Sequence, residues 1–283
     1  GHANRHKFPV QVPGASHEQG NEPDMIWASY ALIGLLAGFS AGYLGIGGGL
    51  ILVPALTWLF SKDPATAEYA IHMAVATSLS TMLVTSMSSI LAHHRRGAVL
   101  WPVTLQLSPG LVAGAIAGAL LAVSLSTRHL AAVFGTYAAV VGLQLLTGRE
   151  VSGHKPLPGR IASSVTGLVI GAISSLVGIG GGSLTVPWLL WHGRQVQQSI
   201  ATAAACGYPI AIAGTASFVL LGQRGESLDS ASGYVHLPAF LGVVIFSVVA
   251  APLGAAAVHR SQPVLVRRIF GGFMLLVAWR MFF

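Results

Sequence analysis

The chain has 283 residues, of which 53 % are hydrophobic and only 8 % carry a charge, against roughly 25 % charged residues in soluble domains. So few charged side chains cannot cover a surface that faces water, which excludes a separate soluble domain. The net charge of +7 comes from basic residues in short loops and at helix ends, where such residues set membrane topology rather than bind nucleic acid. We therefore expect an all-α polytopic membrane protein whose surroundings are the lipid bilayer.

Apolar segments follow one another along most of the chain. Residues 1–25, rich in His, Pro and Gly, lack the apolar core of a signal peptide and predict a disordered tail. The later stretches are long enough to cross a hydrocarbon core of ~30 Å. They cover residues 26–60, 70–92, 101–123, 130–147, 161–192, 198–221, 235–258 and 264–282. This pattern predicts a multi-pass protein of the cell (inner or plasma) membrane.

Glycines interrupt the first of these stretches, in the sequence GYLGIGGGLILVP at 42–54. Each glycine costs a helix about 1 kcal/mol relative to alanine, so this cluster predicts a break. We expect a short second helix to begin near Gly48 or Gly49. Backbone that leaves a helix at membrane depth is tolerated only where it is buried in protein or lines an aqueous cavity.

The second half of the chain repeats this motif. Gly178-Ile179-Gly180-Gly181-Gly182 corresponds to Gly45-Ile46-Gly47-Gly48-Gly49, and Pro187 keeps the register of Pro54. The correspondence predicts two homologous repeats, residues 26–147 and 161–283, joined by a polar linker at 148–160. Repeats with interrupted segments at matching positions are typical of transporters, in which they indicate the binding site.

Two topologies are open for each repeat. If the broken segment spans the membrane once, a repeat has four crossings and the repeats are parallel. If the segment is a re-entrant hairpin, each repeat has three further transmembrane helices and the repeats are inverted. The hairpin topology gathers most basic residues on one face, with Glu150 as the acid among them: Arg95, Arg96, Arg149, Lys155, Arg160, Arg194, Arg260, Arg267 and Arg268. Since Lys and Arg concentrate in cytoplasmic loops, we favour inverted repeats with this face in the cytoplasm.

The two helix breaks are the candidate binding site. Free N–H groups at a helix N-terminus and the helix dipole favour an anion, and glycine allows close approach to the amides. Hydroxyls of the helices that follow each break are further candidates. The predicted substrate-binding residues are Gly47, Gly48, Gly49, Gly180, Gly181, Gly182, Ser183, Thr77, Ser78 and Thr202. The rival interpretation is that glycines only permit close helix packing, which we expect at Gly34, Gly38, Gly42, Gly110, Gly114 and Gly118.

Two further groups are candidates for a moving part and for an entrance. Pro209 removes a backbone donor inside a helical stretch, so with Tyr208 it predicts a hinge or gate, a static kink being the alternative. His94, Arg95 and Arg96 end a helix on the basic face. They either attract anions to a cytoplasmic mouth or only set the topology.

The doubled motif resembles the sulfite exporter TauE/SafE family of membrane permeases. The resemblance rests on both copies of GIGGG with the following VP, on AVATSLSTMLVTSMSSILAHHRRGAVLW at 74–101, and on IATAAACGYPIAIAG at 200–214. It extends over the chain from about residue 26. It implies a permease or exporter of a small anion, with sulfite, sulfonates or other sulfur-containing organic acids as the substrate class.

Two other functions stay open at this point. A cation transporter would use the carbonyl groups of the broken helices instead of their amides. An intramembrane hydrolase would use Ser183 as nucleophile, but no GxSG context surrounds that serine and no membrane carboxylate would orient a base. We expect no cofactor and no metal site, because the histidines are scattered and Cys206 is the single cysteine. The expected partners are a small anionic substrate and lipid, and homo-oligomerisation is left open.

Overall fold

The computed structural model describes residues 22–44, 48–148, 153, 155–223, 231–257 and 263–282. These residues form ten α-helices, a short 3-10 helix at Ala67–Tyr69 and two antiparallel two-residue strands, β1 (Ala231–Ser232) and β2 (Val235–His236). The helices are α1 (Glu22–Leu44), α2 (Gly49–Phe60), α3 (Ala70–Arg95), α4 (Trp101–Ser124), α5 (Thr127–Thr147), α6 (Arg160–Val177), α7 (Gly182–Trp191), α8 (Val196–Gly222), α9 (Leu237–Ala257) and α10 (Pro263–Phe282).

The all-helical membrane class predicted from composition is confirmed. Within the described residues, 6 helical segments are long and apolar enough to cross a membrane: Met25–Gly42, Ala67–Arg95, Trp101–Ser124, Thr127–Thr147, Arg160–Val177 and Val196–Gly222. Gly49–Phe60 and Leu237–Leu253 are shorter apolar helices. The chain is therefore a multi-pass membrane protein. Helix α1 already begins at Glu22, inside the predicted tail, and residues 1–21 lie outside the described residues.

The helix breaks fall where the glycines predict them. Helix α2 begins at Gly49 and helix α7 begins at Gly182. In the second break, Gly178 ends α6 with φ 76° and Gly181 precedes α7 with φ 71°. Both angles lie in the left-handed region, which side chains with a Cβ rarely adopt. The chain therefore turns between α6 and α7 on glycines, whereas residues 45–47 of the first break lie outside the described part of the chain.

Small residues bring two helix pairs into close contact. Helix α1 packs along α9, and a Cβ built on Gly34 would lie 2.6 Å from the carbonyl oxygen of Val243. Helix α4 packs along α6, where a Cβ on Gly110, Gly114 or Gly118 would overlap the backbone of Ser164, Leu168 or Ala172. The packing role predicted for these glycines, and for Gly38 against Ser247, is confirmed. In both pairs, residue numbers increase in the same direction along the two helices, so the helices of each pair run parallel.

Helices α3 and α8 pack against each other in the centre of the protein. The first half of α3, from Ala70 to Met82, is buried throughout. Around this pair lie α2 and α9 on the side of α3, and α4 and α7 on the side of α8, while α5 packs against α10. The breaks that precede α2 and α7 are thereby held against the two central helices.

The helix ends meet in two groups, which define two ends of the molecule. At one of them the linker contacts the end of α7, since the N–H of Gly153 donates to the carbonyl oxygen of Leu190 at 3.3 Å and Lys155 Nζ lies 4.9 Å from the Trp191 ring. We call this the basic end. Its described charged residues are all cationic: Arg95, Arg96, Lys155, Arg160, Arg194 and Arg268. At the opposite, mixed end lie the described charged residues Lys62, Asp63, Glu68, Arg128 and Arg280.

Candidate functional site

The second helix break lies against the start of α2 and the buried half of α3. A Cβ on Gly49 would overlap the carbonyl oxygen of Gly178 and lie 3.1 Å from the Cα of Ile179. The hydroxyl of Ser78, on α3, donates to the carbonyl oxygen of Gly178 at 2.8 Å. The structure therefore brings together Gly49, Ser78 and the second glycine motif, which are far apart in sequence.

Helix α7 is shorter than a membrane-spanning helix. It has 10 residues, and at 1.5 Å per residue it is about 15 Å long, half of the ~30 Å hydrocarbon core. Its last turn contacts the linker at the basic end. At its start, Gly180 lies beside Met82 and Gly207, near the middle of α3 and α8.

The N-terminus of α7 presents backbone donors without acceptors. Within the described part of the chain, the N–H groups of Gly181, Gly182 and Ser183 have no backbone or side-chain acceptor, whereas the carbonyl of Gly181 accepts from Leu184 and Thr185. A helix leaves its first N–H groups unpaired and concentrates positive potential there. At the first break, Gly48 precedes α2 and its carbonyl oxygen accepts from Ile51 and Leu52, and Gly47 lies outside the described residues.

The hydroxyl of Ser183 already has a partner in the protein. Its Oγ forms a hydrogen bond with the phenol oxygen of Tyr137, which lies on α5. This bond ties the first turn of α7 to a helix outside the central pair. Tyr137 is not among the site residues predicted from the sequence, because a lone tyrosine in an apolar helix carries no signal that distinguishes it from a packing residue.

Thr77 and Thr202 make similar hydrogen bonds that join the two halves of the chain. The hydroxyl oxygen of Thr202 accepts from the backbone N–H of Leu100, just before α4, at 3.0 Å. The hydroxyl oxygen of Thr77 accepts from the backbone N–H of His236, just before α9, also at 3.0 Å. Each threonine thus satisfies one N–H at the start of a helix. This is a structural role for both residues, and their contact with substrate stays a prediction.

The hinge candidates lie in the middle of α8, and the entrance candidates lie at the basic end. Pro209 is inside α8, which continues through it, and the Tyr208 side chain packs against a small cluster containing Ile90 and Val99. At the end of α3, Arg95 and Arg96 are exposed, and His94 Nδ1 accepts from the Trp101 indole N–H at 3.1 Å. Roles of these residues in gating or in attraction of anions stay predictions.

Three buried hydroxyls near the second break escaped the sequence prediction. Within the described residues, Ser174 Oγ, Ser175 Oγ and Thr185 Oγ1 have no hydrogen-bond partner. All three residues are at most 2 % exposed. Their position in the sequence could have indicated them. The two serines lie in the last turn of the helix before the GIGGG motif, and Thr185 lies in the first turn after it.

The electrostatics of the site come from the backbone and not from ionised side chains. Helices α2, α7 and α8 contain no Lys, Arg, Asp or Glu. In the part of the chain that the structure describes, no three His, Cys, Asp or Glu side chains cluster as metal ligands would. Outside the spans, burial lowers the pKa of His236 below its usual 6.5, and the charge of Asp63 partly offsets that change.

Comparison with known proteins identifies the family. The sequence model of the family described as Sulfite exporter TauE/SafE matches residues 30–281. This chain belongs to the TauE/SafE family. The resemblance seen in the doubled motif is thereby confirmed, and the chain is a membrane transporter rather than an enzyme, which removes the hydrolase interpretation of Ser183.

TauE/SafE relatives match over most of their length. A protein of Haemophilus influenzae described as a probable membrane transporter is 32 % identical over 255 residues, which cover 89 % of this chain and 96 % of that protein. A probable membrane transporter of Methanocaldococcus jannaschii is 24 % identical over 254 residues, covering 87 % and 94 %. The Bacillus subtilis protein YtnM, with the same description, is 28 % identical over 258 residues, covering 88 % and 80 %. No solved structure matches the chain.

Proposed function

We propose that this TauE/SafE protein is a permease or exporter of a small anion, bound near the membrane midplane by the backbone amides of two broken helices. Sulfite, sulfonates and other sulfur-containing organic acids are the proposed substrate class. The observation that carries the proposal is the N-terminus of α7. Its N–H groups lack acceptors within the described residues, and the break lies beside the middle of α3 and α8. Unpaired donors inside a membrane protein are costly unless a ligand pairs them.

We also propose that the chain is built from two inverted repeats. In support, the contact of α1 with α9 has its counterpart in the contact of α6 with α4, and the contact of α2 with α3 has its counterpart in that of α7 with α8. The reciprocal bonds of Thr77 and Thr202 follow the same correspondence. Such an arrangement would direct both broken helices toward one central region, as alternating-access carriers require.

Each broken segment is proposed to be a re-entrant hairpin. Helix α6 begins directly after the linker, and α7 ends in contact with that linker through Gly153 and Leu190. At the mixed end, the ring of Phe60, the last residue of α2, lies 5.0 Å from the ring of His236, and Tyr30, early in α1, lies 6.2 Å from that ring. These contacts support a topology in which each broken segment begins and ends at the same end of the molecule, as a hairpin does and a single span does not.

The basic end is proposed to face the cytoplasm. Its described charges are all cationic, whereas Asp63 and Glu68 lie at the mixed end, and cytoplasmic loops carry the excess of Lys and Arg. In this orientation Arg95 and Arg96 would raise the local concentration of anions at the inner mouth, with a dependence on ionic strength.

Cation transport through carbonyl groups is the less favoured alternative. The carbonyl oxygen of Gly178 already accepts from Ser78, and that of Gly181 accepts from Leu184 and Thr185. The carbonyl groups of Ile179 and Gly180 have no donor among the described residues, so the preference for an anion rests on the three unpaired N–H groups and on the positive end of the α7 dipole.

Uptake into proteoliposomes tests the function. The purified protein should accumulate labelled sulfite or methanesulfonate and should leave labelled sodium outside. Gly181→Ala, which forces a side chain onto a backbone with φ 71°, should reduce uptake, whereas Gly272→Ala, where a Cβ would meet nothing within 4 Å, should retain it. Uptake of sodium without uptake of any anion in the panel would contradict the proposal.

A further inference from the structure

We propose that the anion is held in one repeat only, by the N-terminus of α7 together with the hydroxyls of Ser174 and Ser175, and that this site selects a singly charged anion. The inference rests on the proposed function but narrows its site from two broken helices to the second one, and it adds the hydroxyl donors and the charge class. None of these follows from the glycine motif, because that motif occurs identically in both repeats.

Ser174 lies directly beside the free helix terminus. Ser174 is 2 % exposed, and its Oγ has no hydrogen-bond partner within the described residues. That Oγ lies 3.3 Å from the position that a Cβ on Gly181 would occupy. Ser175, which is 0 % exposed, directs its unpartnered Oγ toward α8, 3.1 Å from the Cβ position of Gly214. The Ser174 hydroxyl therefore faces the start of α7, and the Ser175 hydroxyl faces α8 at Gly214.

The missing partners are unusual for serines in a helix of this protein. Other buried serines donate to a carbonyl oxygen, as Ser80 does to Ala76 and Ser199 does to Gln195, four residues earlier and at 2.9 Å in each case. Ser174 and Ser175 do not make that bond. A buried donor without an acceptor destabilises the protein unless another group accepts from it, so these hydroxyls are suited to pair with a ligand beside the α7 amides.

The first repeat offers no equivalent donors. By the correspondence of the two glycine motifs, the positions of Ser174 and Ser175 are taken by Ala41 and Gly42, and those of Ser183 and Thr185 by Leu50 and Leu52. Moreover, Gly49 is packed against Gly178 and Ile179, so the start of α2 serves as a wall of the second break. The hydroxyl donors are thus confined to the second repeat.

The absence of cationic side chains limits the charge of the ligand. Helices α6, α7 and α8 carry no Lys, Arg or His between Ile161 and Trp191 or between Val196 and Gly222. A helix N-terminus supplies the equivalent of roughly half a positive charge, whereas the cost of removing an ion from water rises with the square of its charge. Neutral donors and one helix terminus therefore suit a monoanion better than a dianion.

Binding of methanesulfonate and sulfate to the purified protein, measured by calorimetry at pH 7.5, tests this inference. At that pH the first probe carries one negative charge and the second carries two. The wild-type protein should bind methanesulfonate at least about tenfold more tightly than sulfate. Ser174→Ala should weaken methanesulfonate binding by about tenfold to a hundredfold, the range for one hydrogen bond to a charged group, and Ser175→Ala should weaken it in the same direction.

Melting without ligand separates this role from a structural one. Since the Ser174 hydroxyl has no partner in the described protein, Ser174→Ala should leave the melting temperature unchanged or raise it while affinity falls. The matched control is Ser80→Ala, which removes a partnered buried hydroxyl and should keep affinity within twofold.

Unchanged methanesulfonate affinity in both Ser174→Ala and Ser175→Ala, or tighter binding of sulfate, would overturn this inference and leave the proposed anion transport intact. Failure of the wild-type protein to bind or transport any anion would instead overturn both.

Discussion

Gly49, the first residue of α2, packs directly on the carbonyl group of Gly178, the residue that ends α6. A Cβ on Gly49 would overlap that carbonyl oxygen and lie 3.2 Å from Ser78 Oγ. The glycine at position 49 is therefore needed for close packing of the two breaks, whatever ligand they bind. Gly180 differs, because only the flexible end of the Met82 side chain would meet its Cβ within 4 Å.

The first prediction concerns this contact. Gly49→Ala should destabilise the protein by about 1–3 kcal/mol, since an extra methyl group in a close-packed interior forces the backbone to shift. Thermal melting of the purified variant measures the effect. Gly272→Ala, in α10 with open space around its Cβ position, is the control and should be neutral or stabilising by up to about 1 kcal/mol. Equal melting of Gly49→Ala and wild type would show that the two breaks are less tightly packed than described.

The second prediction concerns the reciprocal threonines. Thr77→Val and Thr202→Val keep the side-chain shape but remove the oxygen that accepts from His236 or Leu100. Each should cost about 1 kcal/mol, as loss of a helix-cap acceptor does, and the double variant should show the sum because the bonds are separate. Thr136→Val, whose exposed hydroxyl donates within its own helix to Ala132, should change stability by less than about 0.5 kcal/mol. A loss of transport by Thr202→Val without loss of stability would assign that hydroxyl to the substrate instead.

The third prediction concerns the side of the membrane on which each end lies. Lys155→Cys in the linker and Gln195→Cys after α7 should react with an impermeant maleimide from the same, cytoplasmic side. Asp63→Cys should react from the other side. Cys206 is buried and should contribute little background. Reaction of the first two cysteines from opposite sides would exclude the re-entrant hairpin.

The fourth prediction concerns pH. The Nδ1 of His236 accepts from the backbone N–H of Ala239 at 3.2 Å, a bond that requires an unprotonated nitrogen. Because burial lowers the pKa of His236 below 6.5, the unfolded chain takes up this proton before the folded protein does as the pH falls. The stability is therefore complete above pH 6.5 and declines as the pH falls through the pKa of the folded protein.

Melting curves between neutral and mildly acidic pH measure this decline. His236→Asn keeps a side-chain acceptor but has no titrating group, so its acid-induced loss of melting temperature should be smaller than that of wild type. An identical pH profile for the two proteins would show that other groups cause the decline.

Much of the fold could be predicted from local sequence. The apolar stretches from 101 to 123 and from 198 to 221 correspond closely to α4 and α8, and α2 and α7 begin at Gly49 and Gly182 as predicted. Helix length and the cost of clustered glycines depend on neighbouring residues alone. The packing role of the glycines could also be predicted from the sequence, because their spacing of four residues places them on one helix face.

The candidate site was predicted in its backbone and less completely in its side chains. The position of Ser183 directly after the motif predicts contact with substrate, but its hydroxyl forms a hydrogen bond with Tyr137. Ser174 and Ser175 were passed over, since a serine in a helix usually bonds its own backbone and nothing nearby in sequence indicates otherwise.

The sequence by itself determined the membrane class, the family and the positions of the helix breaks, because hydrophobic length and glycine content act locally along the chain. Only the tertiary structure decided which hydroxyls are already paired and which are free. Thr202 and Leu100 are 102 positions apart, and Ser78 and Gly178 are 100 positions apart. Whether a donor finds an acceptor depends on helices brought together by packing, and no local pattern of residues contains that information.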